Sequence, residues 1–495
     1  MAKQKSLKQK AAAGMVWTAF QKYSKMGIQF ISGIILARLL TPYDYGCIGM
    51  LSIFMVLAEV FIDGGFGSAL IQKKRPTQVD YSTVFWWNLG MSVIMYAILF
   101  LSAPTISRFY NIPLLNDVLR VQGLVLFIYA LNIIQRNQLK KKLNFKLLSI
   151  VSVSTSIIAL AITIFMAYKG FGVWALVAQH LIVAAIPSLV FWFYVKWRPV
   201  WTFSWSSFKE LFGFGFYMFL THLVNDFAGQ IQGLLIGKMY SPSTMGYYSK
   251  AHGTEKMVSK SISSIMTQVT YPLYAEVQDD RVVMINMIKR LVTTVAYITF
   301  PLMFILLLVA KPLFIILYSD RWIQSIPYFQ ALCIAGLATC MQSVNLQTIA
   351  AIGKSKVMLI WVIIKRAVGL SAILGGLFLY GMKGLLCGAV FSSWFAYFVN
   401  IGLVSKYIGY KWTTQLKDLS PVFIVSSLAA LIAFGCGYLL HFNMYWDGLV
   451  KFLIVVVVYL GWSFVFKPEP FEYTKSIIKP MMHRLKHKAK NNPDK

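Results

Sequence analysis

Charge is what this chain has least of. Only 13% of its 495 residues are Asp, Glu, Lys or Arg, while 58% are hydrophobic. A soluble protein of this length carries roughly twice that charge, so an ordinary water-soluble domain is excluded. Acids are scarcer still, with 17 Asp and Glu against 47 Lys and Arg. The five cysteines (Cys47, Cys333, Cys340, Cys387, Cys436) form no Cys-x-x-Cys pair and no Cys/His cluster. Neither a disulfide framework nor a zinc site is therefore indicated, and these residues read as small apolar packing groups. The histidines (His180, His222, His252, His441, His483, His487) show no ligand spacing, and His180 reads as a satisfied interior side chain. No Ser/His/Asp set or paired-carboxylate arrangement for catalysis is present, so the chain does not read as an enzyme. Gly213-x-Gly215 lies inside an apolar run, where it cannot be a nucleotide loop. No metal and no cofactor is expected. Nor is there a segment like a cleaved signal peptide. Met1 to Lys10 is basic, but the helix that follows carries Gln21, Lys22 and Lys25, too polar for a short apolar core.

What is there is a succession of apolar runs of about 20 residues, the length that crosses hydrocarbon as a helix. The runs predict an all-α integral membrane protein with fourteen spans: 14–39, 45–71, 82–104, 114–136, 147–168, 172–195, 210–238, 244–275, 285–310, 323–350, 357–380, 384–405, 420–441 and 446–466. Short connections separate them, many with Pro or Gly, as at Thr41-Pro42, Ser241-Pro242, Gly353-Lys354 and Gly381-Met-Lys-Gly384. No outer loop exceeds about 16 residues on this reading. The tail from 467 to 495 is the one sizeable polar piece.

The net charge of +30 would suggest nucleic acid in a soluble protein. Here Lys and Arg gather at alternate loops, in a ratio of about four to one. That bias predicts both termini in the cytoplasm and an even number of spans. The surplus is then a positive-inside signature, helped by anionic lipid, and no nucleic-acid partner is expected. Trp and Tyr near span ends, such as Trp86-Trp87, Trp201, Trp205 and Tyr247-Tyr248, read as an interfacial belt.

The chain also repeats itself at an offset of 200. Gly33, Arg38, Thr41, Pro42 and Gly46 realign with Gly233, Lys238, Ser241, Pro242 and Gly246. Pro104 to Tyr110 echoes Pro312 to Tyr318 at the end of another apolar run. Repeated halves in an apolar chain are a common build of membrane transporters, with the substrate path between them. The expected organisation is a six-helix lobe at 1–205, a second at 206–410, two additional helices at 411–466 and a basic cytoplasmic tail at 467–495.

Ionisable residues inside a membrane are costly and mark function by default. The first span carries Lys22 and Lys25, the second Glu59 and Asp63. Folding the chain antiparallel about Tyr43 brings Lys25 level with Glu59 and Lys22 level with Asp63, roughly 12–18 Å from the cytoplasmic end. The equivalent fold about Ser243 brings Asp226 level with Lys260. The eighth span adds Lys250, His252, Glu255 and Lys256 among many Ser and Thr, and the eleventh adds Lys365 and Arg366. Such residues can be structural ion pairs that neutralise one another. Cations nevertheless outnumber acids, and a positive buried cavity calls for an anion such as pyrophosphate or an acidic sugar. Lys22, Lys25, Lys256, Lys260, Lys365 and Arg366 are therefore the candidate anion-binding residues. Glu59, Asp63, Asp226 and Glu255 are the candidate ion-coupling or ion-pair residues. Lys22, Lys25, Lys256 and Lys260 are expected to point into a water-filled cavity lined by spans 1, 2, 7 and 8.

Gly14-x-x-Trp17, then Ala37-Arg38-Leu-Leu-Thr-Pro42-x-Asp44-x-Gly46, then Gly64-Gly65-Phe-Gly67-Ser-Ala69-Leu70-Ile71-Gln72 resembles the bacterial polysaccharide flippases of the Wzx/WzxC type. These belong to the multidrug/oligosaccharidyl-lipid/polysaccharide exporter superfamily, and the likeness spans nearly the whole chain. The resemblance implies two pseudo-symmetric six-helix lobes plus two C-terminal helices, working by alternating access. It implies an undecaprenyl-pyrophosphate-linked oligosaccharide as cargo, carried across the bacterial inner membrane for surface polysaccharide such as lipopolysaccharide. It gives a general role to cavity cations, carried here onto Lys22, Lys25, Lys256 and Lys260. The acidic residues beside the cations could couple transport to a proton or sodium ion, and the expected partners are the cargo, membrane lipids and other polysaccharide-assembly proteins. A cation-coupled drug exporter of the same fold is the alternative, and it would favour an acidic cavity. A membrane glycan polymerase or ligase would need a large outer loop with catalytic residues.

Overall fold

The computed structural model describes residues 2–277, 280–352, 354–440 and 443–475. Gly353, His441, His483, His487 and most of the basic tail lie outside them. The described chain is helical and shows no strand. Its helices are α1 (Ala2–Leu39), α2 (Pro42–Asp63), α3 (Phe66–Gln72), α4 (Gln78–Tyr110), α5 (Leu114–Lys141), α6 (Phe145–Tyr168) and α7 (Val173–Tyr194). They continue as α8 (Trp205–Met239), α9 (Pro242–Glu276), α10 (Arg281–Leu308), α11 (Ala310–Tyr318), α12 (Ile326–Ala351), α13 (Ser355–Ile408), α14 (Trp412–Leu440) and α15 (Met444–Phe466). In lipid a backbone must satisfy its own hydrogen bonds, so apolar runs of this length become helices.

Ten described stretches are long and apolar enough to cross a membrane. One of them, 357–408, is two helices folded back to back. Its backbone leaves the helical region at Tyr380 and at Gly381, where φ is 62°. Gly376 and Gly384 then face each other so closely that a Cβ on either would strike the other's carbonyl oxygen. α1, α8 and α9 are also long, at 38, 35 and 35 residues, but carry more charge. Helices therefore lie at the expected spans, although ten described stretches, and not fourteen, meet the length and hydropathy of a membrane crossing.

Local sequence explains the helix starts. Thr41 and Asp44 form a capping box at the head of α2, with Pro42 in the first turn. Thr77 and Asp80 form another at the head of α4. Ser241 accepts from the Thr244 N–H at 3.2 Å in the same way at the head of α9. The hydroxyl-Pro element repeated at offset 200 is therefore a helix N-cap in both copies.

The chain divides into two compact units, Met1–Ser249 and Lys250–Lys495. In the first, α1 packs on α6, α5 on α4 and α7, and α2 on α8, α4, α5 and α7. In the second, α12 packs on α13 and α10, and α14 on α10 and α15.

Two pairs of glycines set how closely the first unit packs. A Cβ on Gly46 would strike the Pro242 carbonyl oxygen, and a Cβ on Gly246 would strike that of Pro42. The two repeat copies thus clasp each other reciprocally, each glycine receiving the other's first helical carbonyl. At the far end of α2, Gly64 and Gly65 take φ of 53° and 75°, a left-handed break between α2 and α3. Gly65 lies directly against Gly215 of α8, where a side chain on either would meet backbone. The Gly-Gly-x-Gly of α2–α3 and the Gly-x-Gly of α8 therefore form a packing contact.

Candidate functional site

α1 presents Gly14, Thr18, Gln21 and Lys25 at spacings of four, three and four, one face of a helix. That face meets α6. Gly14 lies against the Phe145 ring, and Ser149 Oγ donates to the Trp17 carbonyl at 2.8 Å. Below this contact a cavity of about 320 Å³ opens between α1, α5, α6 and α7. Lys25 enters it from α1, Arg136 and Lys140 from α5, and Ser152 and Thr155 from α6. Pro187 and Phe191 of α7 close the apolar side. Three cations and several hydroxyls line the cavity, and no carboxylate does. Chemically, such a lining suits an anion, because charge-assisted hydrogen bonds to phosphate oxygens are roughly twice as strong as neutral ones.

The pair expected between Lys25 and Glu59 is not formed among the described residues, where Lys25 has Arg136 and Glu59 has Asp226 and Arg136 as charged neighbours. The physical reason is packing. That pairing requires consecutive helices to lie side by side, but α1 rests on α6 while α2 rests on α8, α4, α5 and α7. Lys25 consequently lies within electrostatic reach of Arg136. Lys22, one turn away, is half-buried. Glu59 has Asp226 and Arg136 as its charged neighbours. Asp63 accepts from the backbone N–H of Gly65 and Gly67 and has His222 and Lys140 nearby. It thereby caps the first turn of α3.

The other end of α3 is held by a cation. Lys141 Nζ donates to the Leu70 carbonyl at 2.9 Å and to that of Lys73. Lys73 in turn bridges Asp80 at 3.1 Å and Glu210 at 2.8 Å. Burial alone would push the Lys73 ammonium down, but hydrogen bonds to Glu210 and Asp80 outweigh it and raise its pKa above the ordinary lysine value.

In the second unit Glu255 is buried, with Ser259 as a hydrogen-bond partner and Gly336 against one carboxylate oxygen. Lys256, Lys260 and Arg366 are exposed and His252 is half-buried. Lys250 is buried with its Nζ 4.0 Å from the centre of the Tyr318 ring. Lys365 Nζ donates to Asn400 Oδ1 at 2.6 Å, tying the two halves of α13 together. Asp226 and Lys260 belong to different compact units.

Arg136 and Lys140 are not apparent as site residues from the sequence, because they sit where an apolar run gives way to a basic stretch and read as loop charge. The signal is their spacing of four, which keeps both on one helix face once α5 runs on to Lys141.

A bundle of long apolar helices in two units, ten stretches of which are long and apolar enough to cross a membrane, defines a multi-pass membrane protein. Its overall fold is similar to the lipid II flippase MurJ in an inward closed conformation, at a TM-score of 0.73 and 15% identity, covering 91% of this chain and 98% of that one. Residues 35–327 match the family described as polysaccharide biosynthesis protein, and the chain belongs to that family. It is 24% identical over 458 residues to the teichuronic acid biosynthesis protein TuaB of Bacillus subtilis, covering 89% of this chain and 92% of TuaB. It is 21% identical over 441 residues to the lipopolysaccharide biosynthesis protein WzxC of Escherichia coli, covering 88% and 89%.

Proposed function

We propose that this protein is a flippase that carries a lipid-linked, undecaprenyl-pyrophosphate-type oligosaccharide across the bacterial inner membrane for surface polysaccharide synthesis. The observation that carries this reading is the pocket holding Lys25, Arg136 and Lys140 with no acid in its lining. A lone cation within hydrocarbon costs about 2.5–3.5 kcal/mol on insertion scales. Glu59 lies within reach of Arg136 and Asp63 of Lys140, whereas Lys25 has another cation, Arg136, as its charged neighbour, so the pocket retains a positive surplus that water or an anionic ligand can meet. A diphosphate supplies that charge and is the one strongly anionic part of a lipid-linked glycan. Arg136 offers a planar fork of donors and the lysines point charges that adapt to either phosphate. The hydroxyls of Thr18, Ser152 and Thr155 suit the polar linkage, while the polyprenyl tail stays in the bilayer.

Family membership and the names of its relatives support the same reading. The lobes are assigned to 1–205 and 206–410, with accessory helices at 411–466. Both termini are assigned to the cytoplasm, in keeping with the Lys/Arg bias. Rocking of the lobes then exposes the head group alternately on the two sides. Cells of the native host in which Lys25→Ala or Arg136→Ala replaces the wild-type copy test the reading. They are expected to insert the protein normally, lose surface polysaccharide and accumulate lipid-linked glycan on the cytoplasmic side. Normal export in both strains would overturn it.

A further inference from the structure

The hairpin of α13 carries a site of a different kind. Its two halves pack closely because Gly384 and Gly388, one turn apart, lie against the backbone of Gly376 and Ala372. The second half turns another face towards α12, and the two run side by side in the same direction. Gln342 of α12 donates to the Ser393 carbonyl at 2.8 Å. Nearer the start of each helix, Ala331 and Ile334 face the stretch from 383 to 391 across an open groove of about 580 Å³.

The lining of this groove is sorted along its length. Lys383, Cys387 and Phe391 recur at spacings of four, with Leu386 and Val390 beside them, so they share one side of the helix. Beyond Lys383 the lining is apolar. The rise from 383 to 391 is about 12 Å. That approaches the depth of one leaflet, about half of a 30 Å hydrocarbon core. Lys383 stands two residues past the turn at Gly381, in the first turn of the second half of α13, where free N–H groups add to its positive charge. Phe378, Leu379 and Tyr380, just before the turn, are exposed, and a tyrosine exposed at the end of a span marks the head-group level. Neither α12 nor α13 contains an Asp or Glu to answer Lys383. A cation at head-group level, above an apolar groove about one leaflet deep, has the charge and the length that a phospholipid needs.

We propose that this groove binds one anionic phospholipid, with its phosphate at Lys383 and an acyl chain laid along Leu386, Val390 and Phe391 towards the contact between Gln342 and Ser393. A zwitterionic lipid brings its own cation beside Lys383, whereas a lipid of net negative charge does not, so charge selects between them. Every residue of the site belongs to the second compact unit, and the site needs no cargo.

Photo-crosslinking tests this on the full-length protein in phosphatidylcholine vesicles. Trace phosphatidylglycerol or phosphatidylcholine with a diazirine in one acyl chain is the probe, and labelled peptides are mapped by mass spectrometry. The phosphatidylglycerol probe is expected to label 331–334 and 386–391 about fivefold more than the phosphatidylcholine probe, the worth of one cation at a membrane surface. Lys383→Gln should erase that preference, and Lys311→Gln, which removes an exposed cation at the head of α11, should keep it. Ala331→Phe, which fills the groove, should lower labelling there by both probes. Should Lys383→Gln fail to insert, the wild type decides, since its preference must fall as salt is raised. Equal labelling by the two probes, or a preference that survives Lys383→Gln or is lost in Lys311→Gln, overturns the proposal. So does displacement of the phosphatidylglycerol probe by equimolar undecaprenyl diphosphate, which would make the groove a seat for the polyprenyl tail. Absence of labelling by both probes in a protein that runs as a dimer would assign the groove to a second copy of the chain and overturn it equally.

Discussion

At the scale of single residues, buried charge decides most of what can be tested. If Lys25 and Glu59 were a structural pair, exchanging their charges would restore what either reversal loses. Since Lys25 faces Arg136 and the anion pocket, the double variant Lys25→Glu/Glu59→Lys is expected to remain inactive in polysaccharide export although inserted at wild-type level. Recovery of export would place the two side chains in contact during the cycle. Asp80 gives a stability prediction. It is 1% exposed, caps α4 and holds Lys73. Asp80→Asn is expected to cost about 1–3 kcal/mol, since at a buried position it removes the charge that holds the half-buried Lys73 and leaves a backbone donor poorly matched. Glu210, whose side chain is 62% exposed, should cost well under about 1 kcal/mol as Gln. Thermal unfolding in one detergent compares the two, and equal losses would contradict the burial argument. Lys25 and Glu59 are legible in the sequence as intramembrane charges. Their partners are not, because a partner on another helix leaves no trace in spacing along the chain.

At the scale of the element, the clasp between the heads of α2 and α9 is a reciprocal contact with a distinctive energetic signature. Gly46→Ala and Gly246→Ala each place a methyl group on a backbone carbonyl, and each is expected to destabilise by about 1–3 kcal/mol. Both changes act on one crossing. Once either methyl has pushed the helix heads apart, the second costs less, so the double variant should lose less than the sum. Gly90, in mid-α4, is the control. A methyl group added there would have nothing within 4 Å, so Gly90→Ala should be neutral or slightly stabilising. Strict additivity of the first two changes would show that the contacts are independent. The same elements show how well local sequence can be read. Capping boxes at Thr41 and Thr77 and the turn at Gly381 follow from short-range chemistry. The left-handed break at Gly64–Gly65 is visible as a glycine cluster, but the backbone of Gly215 against it is not.

At the scale of the whole molecule, the lopsided distribution of Lys and Arg sets the expected orientation. A reporter enzyme fused after Lys495, active only in the cytoplasm, is expected to be active. Activity of a periplasm-specific reporter at the same place would refute an even number of spans. The all-helical build, the membrane location and the family were determined by the sequence itself, since low charge and apolar runs of membrane length leave few other solutions. The offset-200 repeat likewise marks two caps and two glycines in the sequence alone. Tertiary structure decided which helices are neighbours. It put α1 on α6 and α2 on α8, moved Lys25 from an expected pairing with Glu59 into a pocket with Arg136 and Lys140, and left Glu59 with Asp226 and Arg136 as charged neighbours. In a bundle of apolar helices many pairings bury similar area. The choice among them turns on close contacts between small residues far apart in sequence, and those exist only once the chain has folded.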